Sequence, residues 1–187
     1  MRILLDTNIL IHREASTVVR RDIGDVFFWL DKLHHEKIAH PVSIAEIEKH
    51  RDEKVRNTFR AKLQSYNVLK TSAPISPQAQ QFAATDRNEN DRNDTIIINE
   101  VLAGRVDLLI TEDRGVHRKA ALLGIADRVF TIEAFLEKVS AENLDLVDYK
   151  VLAVKKALFG NIDVAGGFFD SFRTDLRWCS LRQMVRT

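Results

Sequence analysis

Short apolar runs alternate along the chain with longer stretches in which apolar residues recur every three or four positions. The short runs are rich in Ile, Leu and Val and are bounded by polar or turn-forming residues, a pattern typical of buried strands. Pro41 ends the hydrogen-bonding capacity of the second run. The pattern predicts strands over residues 3–5, 37–42, 67–69, 107–111 and 129–131.

The stretches between these runs have the period of amphipathic helices. A helix is predicted over residues 16–36, and the Asp-Thr-Asn at 6–8 is predicted to form a turn before it. Gly104 is predicted to end the helix that precedes the fourth strand. Further helices are predicted over residues 43–66 with a break near 52, from 91 or 94 to 104, over 115–123 and over 132–139. This alternation indicates an α/β fold, a parallel twisted sheet sandwiched by helices.

The regular alternation fades past about residue 141. One short helix is predicted near residues 151–158, and the Gly-Gly at 166–167 is typical of a flexible junction. We therefore predict a folded domain over residues 1–140. Residues 141–187 are predicted to be a connector and tail, or the stub of a missing second domain.

Composition narrows the class of protein. With 187 residues and 45% hydrophobic positions, the chain can bury the core of a single domain. The net charge of +1 excludes neither a nucleic acid nor a small substrate. A single cysteine excludes an intrachain disulfide framework and a Cys-rich zinc site. No run of about 18 apolar residues is present, so we expect a soluble cytoplasmic protein that does not enter a membrane.

Four acidic residues lie at the edges of predicted elements: Asp6, Glu46, Asp94 and Asp113. In open parallel sheets, ligands bind in the crevice at the carboxyl ends of the strands. Four carboxylates that meet there would repel one another unless a divalent cation neutralised them. Mg²⁺ prefers such hard oxygen ligands, and two such ions can support phosphodiester hydrolysis. The pattern predicts metal-dependent phosphodiester chemistry.

Each acid also has a purely structural interpretation. Asp6 fits a turn at the end of a strand, and Glu46 fits a capping box that Ser43 would open. The remaining acids fit positions at or near helix N-termini, where a carboxylate is favourable: these are Asp91, Asp94 and Asp113. Asp91 remains an alternative to Asp94 as the third acid, or an additional ligand.

Taken together, four motifs resemble those of the PIN-domain nucleases. Ile-Leu-Leu-Asp6-Thr-Asn-Ile-Leu-Ile resembles the family's first strand and first acid, and Ser43-x-x-Glu46-Ile resembles its helix-borne glutamate. Asp94-Thr-Ile-Ile resembles the third acid, and Leu-Leu-Ile-Thr111-Glu-Asp113-Arg resembles the closing Thr-x-Asp. The motifs occur in the family's order, and the resemblance covers roughly residues 1 to 139. It implies Mg²⁺ or Mn²⁺ dependent cleavage of single-stranded RNA.

The resemblance also implies roles for individual residues. Asp6, Glu46, Asp94 and Asp113 would be catalytic, and the three aspartates would bind the metal, with Asp91 as an extra ligand. Asn8 and Thr111 would orient the acids or bond metal-bound water, although both could equally satisfy turn backbone. Basic side chains near the acids are predicted to contact RNA, the alternative being a solvated helix surface: these are Lys49, Arg114, Arg118 and Lys119.

The family resemblance leaves the biological role and the partners open. Many PIN-domain nucleases are toxins of toxin–antitoxin pairs, so an antitoxin protein and a homodimer are candidate partners besides RNA. Residues 148–173 resemble the connector of proteins that fuse a PIN domain to an acetyltransferase-type domain. Since too few residues follow for such a domain, no acetyl transfer activity is expected.

Two other functions remain as alternatives. Asp6 at the tip of the first strand could be the nucleophile of a phosphoaspartyl hydrolase of the haloacid-dehalogenase type. That chemistry requires a second acid two residues later, where this chain has Asn8. The chain could also be a catalytically silent RNA-binding or regulatory module on a PIN-like fold.

Overall fold

The first strand lies at the centre of a parallel sheet. The computed structural model describes residues 1–14 and 21–144. Within them, five strands pair in the order β3-β2-β1-β4-β5, and each of the four pairings is parallel. The strands are β1 (Arg2–Leu5), β2 (Glu36–Ala39), β3 (Asn67–Val68), β4 (Leu108–Ile110) and β5 (Val129–Phe130). The predicted parallel sheet is confirmed.

Eight α-helices surround this sheet in the described part of the chain. They are α1 (Thr7–Glu14), α2 (Arg21–Lys32), α3 (Pro41–Glu48), α4 (Glu53–Lys62), α5 (Pro77–Ala83), α6 (Glu89–Leu102), α7 (Arg114–Leu122) and α8 (Ile132–Glu142). None of these helices has both the length and the apolar character needed to cross a membrane.

The sheet is buried on both faces, as expected when crossover helices cover a parallel sheet. Successive side chains of a strand point to opposite faces. Ile3 and Leu5 accordingly join an apolar cluster with side chains of α1, α2, α3, α4 and α8. Leu4 joins a second cluster with side chains of α6 and α7. The α/β sandwich predicted from the apolar pattern is therefore observed.

The direction of chain progression reverses at β1. From β1 the chain moves outward to β2 and then β3, and it returns to β4 on the opposite side of β1 before it reaches β5. In open α/β sheets this reversal opens a crevice beyond the carboxyl ends of the two strands. Asp6 follows β1 directly, and Thr111 follows β4 directly. The topology therefore brings these two segments to one crevice.

The predicted turn at residues 6–8 is wrong, because a helix begins there. Asp6 Oδ1 accepts a hydrogen bond from Thr7 N at 2.7 Å, and the Asp6 carbonyl accepts one from Leu10 N at 3.1 Å. These bonds start α1 immediately after the strand. The single helix predicted over residues 16–36 is too long at its end, since α2 runs from Arg21 to Lys32 and Glu36 already begins β2. Residues 15–20 lie outside the described part.

The predicted capping box at Ser43 is also wrong. Helix α3 begins two residues earlier, at Pro41, with His40 as its N-cap residue. His40 Nδ1 accepts a hydrogen bond from Val42 N at 3.1 Å, and proline is favoured at the first helical position. Glu46 therefore lies beyond the first turn and is free of any capping role. The predicted break near Asp52 is confirmed, since Asp52 caps α4.

Helix α6 begins earlier than predicted as well. Asn88 is its N-cap residue and accepts a hydrogen bond from Asp91 N at 2.8 Å. Neither Asp91 nor Asp94 therefore starts the helix. The predicted stop at Gly104 is confirmed, because this residue has φ +69° just past the helix end. The last predicted helix extends to Glu142, and residues 145–187, with most of the predicted connector and tail, lie outside the described part.

Candidate functional site

Four acidic side chains from separate segments line one cleft of about 320 Å³ at the carboxyl edge of the sheet. We call it the acidic cleft, and these four acids are Asp6, Glu46, Asp94 and Asp113. A fifth acid, Glu89, also lines it. Asp6 follows β1, Glu46 lies on α3, Asp94 lies on α6, and Asp113 joins β4 to α7. The structure thus brings together the four acids that the motifs singled out.

Asp6 is the most buried of these acids, with 6% of its surface exposed. Its Oδ1 accepts a hydrogen bond from Thr7 N, and its Oδ2 accepts one from Thr111 Oγ1 at 2.7 Å. Burial raises the pKa of the Asp6 carboxyl above its ordinary value, the two hydrogen bonds oppose the rise, and the charges of Glu46 and Asp113 add to it. The two hydrogen bonds fix the Asp6 carboxylate in position, while burial and the neighbouring charges make its ionisation unfavourable.

The buried hydroxyl of Thr111 connects two of the acids. While it donates to Asp6, it accepts a hydrogen bond from Asp113 N at 3.0 Å. Asp113 in turn caps α7, since its Oδ1 accepts hydrogen bonds from Gly115 N at 2.5 Å and from Val116 N at 3.1 Å. Thr111 therefore links Asp6 to Asp113 through hydrogen bonds, and Asp113 also has the capping role.

Glu46 is held by two residues that the sequence did not single out. Thr7 Oγ1 donates a hydrogen bond to Glu46 Oε2, and Asn93 Nδ2 donates one to Oε1, both at 2.5 Å. Thr7 is 39 positions away in sequence and Asn93 is 47 positions away. The sequence offered one indication of their role: Thr7 directly follows Asp6, and Asn93 directly precedes Asp94.

Asp94 differs from the other three acids in its bonding. It is half-buried, and its carboxylate accepts no hydrogen bond from the described residues. Burial and the charge of Asp113 raise its pKa to about 7, with smaller increases from Asp6 and Glu46 and an opposing effect of Lys119. A bound cation would therefore stabilise ionised Asp94 more than the other three acids.

Gly115 leaves the space in which two of the carboxylates approach each other. A Cβ atom at this position would lie 2.8 Å from Asp113 Oδ1 and 3.9 Å from Asp94 Oδ2. Any larger residue would push the Asp113 carboxylate away, because 2.8 Å is well inside van der Waals contact. Gly115 was not identified from sequence, although a glycine at the second position of a helix is a visible irregularity.

Asp91 does not reach the acidic cleft. Its Oδ2 accepts a hydrogen bond from Arg87 N at 3.0 Å, and its backbone nitrogen donates to the Asn88 cap. Its carbonyl accepts bonds from Thr95 Oγ1 and Lys119 Nζ. Asp91 thus belongs to the start of α6, and the third acid of the cleft is Asp94.

The donor set of the cleft fits a divalent cation in kind. Carboxylate oxygens are the ligands that Mg²⁺ and Mn²⁺ prefer, and an ionised carboxylate has about four lone-pair sites, of which hydrogen bonds occupy only some. As the side chains stand, no three His, Cys, Asp or Glu among residues 1–14 and 21–144 are grouped closely enough to hold one ion. Binding therefore requires the carboxylates to turn inward, and Asp94 has no hydrogen bond to break.

The four basic residues predicted to contact RNA have different surroundings. Lys49 lines the acidic cleft, where its Nζ lies 2.8 Å from Oε1 of Glu89. Arg114 and Arg118 are exposed on α7, and neither forms an ion pair or hydrogen bond with the described part of the chain. Neither arginine lines the acidic cleft, although Arg114 directly follows Asp113 in the chain.

Lys119 is a correction to the predicted RNA contacts. Its Nζ donates to Asp86 Oδ1 at 2.9 Å, to the Asp91 carbonyl at 2.7 Å and to Thr95 Oγ1 at 2.8 Å. An ammonium group has three hydrogens, so all its donors are used. With its side chain only 15% exposed, Lys119 ties α7 to the start of α6 instead of facing a ligand.

His40 fixes the helix that carries Glu46 to the helix that carries Asp94. Besides capping α3, its ring places Nε2 3.2 Å from Oε1 of Glu100 on α6. Both side chains are fully buried, and Glu100 also accepts a hydrogen bond from Ala73 N at 2.6 Å. The sequence analysis did not identify this positioning role of His40.

We expect Thr111→Val to lower the free energy of unfolding by about 1–3 kcal/mol, because it leaves Asp113 N–H and one Asp6 oxygen without their buried partner. Thr111→Ser keeps the hydroxyl and should lose much less. Urea denaturation of the three proteins measures the difference. Equal stability of the Val variant would show that the hydroxyl does not link the two acids.

Comparisons with solved structures give distant similarities. No family model matches the chain, and no curated protein matches it. A solved structure that resembles it is the crystal structure of VapBC2 from Rickettsia felis bound to a DNA fragment from their promoter. The identity is 14%, the match covers 70% of this chain and 98% of that chain, and the TM-score is 0.48. A similarity at this level establishes neither family nor activity.

Proposed function

We propose that this chain is a Mg²⁺ or Mn²⁺ dependent endoribonuclease of the PIN type that cleaves phosphodiester bonds of single-stranded RNA. The observation that carries the proposal is the convergence of four carboxylates from four segments at the point where chain direction reverses. Like charges brought together at such a cost are typical of sites that bind a divalent cation. The order of the four motifs supports phosphodiester chemistry in particular.

In this proposal, Asp6, Asp94 and Asp113 hold the cation and Glu46 completes the site. A bound divalent cation supplies charge neutralisation and an acidified water. Thr111 and the Thr7 backbone keep the Asp6 carboxylate in a fixed orientation. Thr7 and Asn93 do the same for Glu46 from either side. Because Asp6 and Glu46 are held by these hydrogen bonds, most of the adjustment needed for cation binding falls to Asp94, whose carboxylate accepts none from the described residues.

Residues at the opening of the cleft bind the RNA backbone in this proposal. Asn8 is exposed and lines the cleft, so its amide can donate to a phosphate oxygen. Lys49 and Arg114 supply positive charge on two different sides, one at the end of α3 and the other at the start of α7. A toxin role and an antitoxin partner belong to the proposal only through the resemblance to PIN-domain nucleases.

The phosphoaspartyl hydrolase alternative fits the geometry less well. A nucleophilic carboxylate must present a free oxygen to the substrate phosphorus. Both oxygens of Asp6 accept hydrogen bonds inside the protein, and the residue is almost fully buried. Asp6 is therefore better placed as an oriented ligand than as a nucleophile.

We expect the purified chain to cleave a labelled single-stranded oligoribonucleotide in Mn²⁺ or Mg²⁺ and to be silent in EDTA. DNA of the same sequence and duplex RNA are the matched substrates, and gel electrophoresis of the products measures cleavage. Metal binding without turnover on varied RNAs would favour the silent RNA-binding module. The absence of both metal binding and cleavage at pH 8 would refute the proposal. A trapped phosphoenzyme would favour the phosphoaspartyl hydrolase.

A further inference from the structure

A salt bridge spans the solvent-exposed rim of the acidic cleft. Lys49 is the C-cap residue of α3 and Glu89 is the first residue of α6, and their charged atoms lie 2.8 Å apart. The same two helices carry Glu46 and Asp94. The salt bridge therefore connects two walls between which a substrate must enter.

Lys49 is the one basic side chain among the described residues that line this cleft, where it faces five acids. A phosphate that enters needs a cation at the rim, since the acids inside repel it. The Lys49 ammonium is already engaged by the Glu89 carboxylate, which raises the pKa of Lys49 and lowers that of Glu89. A carboxylate and a phosphate compete for the same donors, because both present anionic oxygens to an ammonium.

We propose that Glu89 occupies the place of a backbone phosphate in the free protein, and that RNA binding transfers Lys49 from the Glu89 carboxylate to that phosphate. This inference rests on RNA as the substrate of the proposed function. The exchange is easy, because the two side chains are 65% and 72% exposed and such ion pairs are weak. Once displaced, Glu89 can turn into solvent.

The exchange makes Glu89 a determinant of affinity. An anion with one weak contact would have to displace Glu89 for little gain, whereas a polynucleotide gains several phosphate contacts at once. Arg114, beside Asp113, would supply one of these additional contacts. Glu89 therefore favours RNA chains over single phosphate groups and weakens the binding of both.

The test is the affinity for a fluorescein-labelled oligouridylate of about 12 nucleotides, measured by fluorescence anisotropy at low salt with Ca²⁺ in place of Mg²⁺. Gel electrophoresis of the same samples verifies that the probe stays intact. We expect Glu89→Gln to bind this probe about two- to fivefold more tightly than wild type. Lys49→Gln should bind it more weakly. In the double variant, Glu89→Gln should bring no gain, because the cation that it would release is absent.

Glu48→Gln is the matched control. Glu48 precedes Lys49 on the chain, forms an ion pair with Arg60, and does not line the cleft. Its substitution removes the same charge from a similar ion pair and should leave the affinity unchanged. A gain equal to that of Glu89→Gln would show that total charge alone sets the affinity and would overturn the proposal.

Other results would also overturn the exchange. A gain from Glu89→Gln that persists in the Lys49→Gln background would indicate general repulsion of the probe by Glu89. Absence of any gain, or absence of binding by every variant, would show that Glu89 does not compete with RNA. Failure of the nuclease proposal gives a different result. If Glu89→Gln raises the affinity only in the presence of Lys49, but the chain does not cleave RNA, the exchange is supported and the catalytic role is refuted.

Discussion

Asp6→Asn is expected to reduce RNA cleavage by at least about 1000-fold while the protein stays folded. A cation at the reacting phosphate provides several kcal/mol of stabilisation, and each 1.36 kcal/mol is a factor of ten in rate. Asparagine has the same shape but no charge to hold the cation. Its carbonyl can still accept from Thr7 N, and its amide can donate to the Thr111 hydroxyl.

Burial raises the pKa of Asp6, which means that the folded protein bears a cost for ionising it. The neutral variant should therefore be at least as stable as wild type in EDTA. Initial rates in Mn²⁺ and urea denaturation in EDTA measure the two effects. Asp25→Asn is the control, since Asp25 is an acid on α2 outside the cleft. A variant with wild-type rates would remove Asp6 from the metal site, and an unfolded variant would give it a structural role instead.

Asp94→Asn is expected to stabilise the metal-free protein at pH 8 but not at about pH 4. The pKa of Asp94 is about 7 in the folded protein and 3.8 in its ordinary state, so the folded protein binds the proton more tightly. That contribution to stability is fully present below about pH 4 and is lost as the pH rises to 7. At pH 8 the variant should gain up to about 4 kcal/mol, reduced by the solvent that reaches this half-buried group.

Denaturation in EDTA at several pH values measures this difference. Asp91→Asn is the matched control, because Asp91 lies about one turn earlier on the same helix but does not line the cleft, and its carboxylate accepts a hydrogen bond from Arg87 N. Mn²⁺ should stabilise wild type at pH 8, and the Asp94 variant should gain much less from the metal. A pH-independent difference between wild type and the Asp94 variant would contradict the proximity of the four charges.

The sheet and the acids of the site could be predicted from sequence for the same reason. A strand buried on both faces must be apolar along its length, so it stands out in the chain, as residues 3–5 and 108–110 do. Its end is then visible as the first polar residue, and in a parallel sheet the strand ends meet at one edge. Asp6 is the first polar residue after β1, and Asp113 lies two positions beyond Thr111, the first polar residue after β4.

The helix starts could not be predicted with the same accuracy. Asp-Thr-Asn has the chemistry of a turn and of a helix start, and only the surrounding structure decides that α1 begins at Thr7. The Ser43-x-x-Glu46 spacing matched a capping box, although His40 and Pro41 supply the actual N-terminus. Local patterns of this kind are shared by competing structures, and tertiary contacts select among them.

The hydrogen-bond and ion-pair partners of individual side chains could be predicted least from the sequence. Lys119 was expected to meet RNA, but Asp86 and Thr95, 33 and 24 positions away, use its charge inside the protein. In α2, Phe27 and Trp29 are buried, whereas Phe28 between them is 56% exposed. A single sequence does not state which residues from distant segments will meet.

The hydrogen bond from Thr111 to Asp6 joins residues 105 positions apart across neighbouring central strands. During translation, the edge of β1 that pairs with β4 therefore stays unpaired until the ribosome has released β4 and the residues that follow it. A nascent chain that stops before Asp113 has neither the complete sheet nor the assembled acid cluster. Such a fragment would present the open edge of β1, and an unpaired strand edge is a template for pairing with another chain.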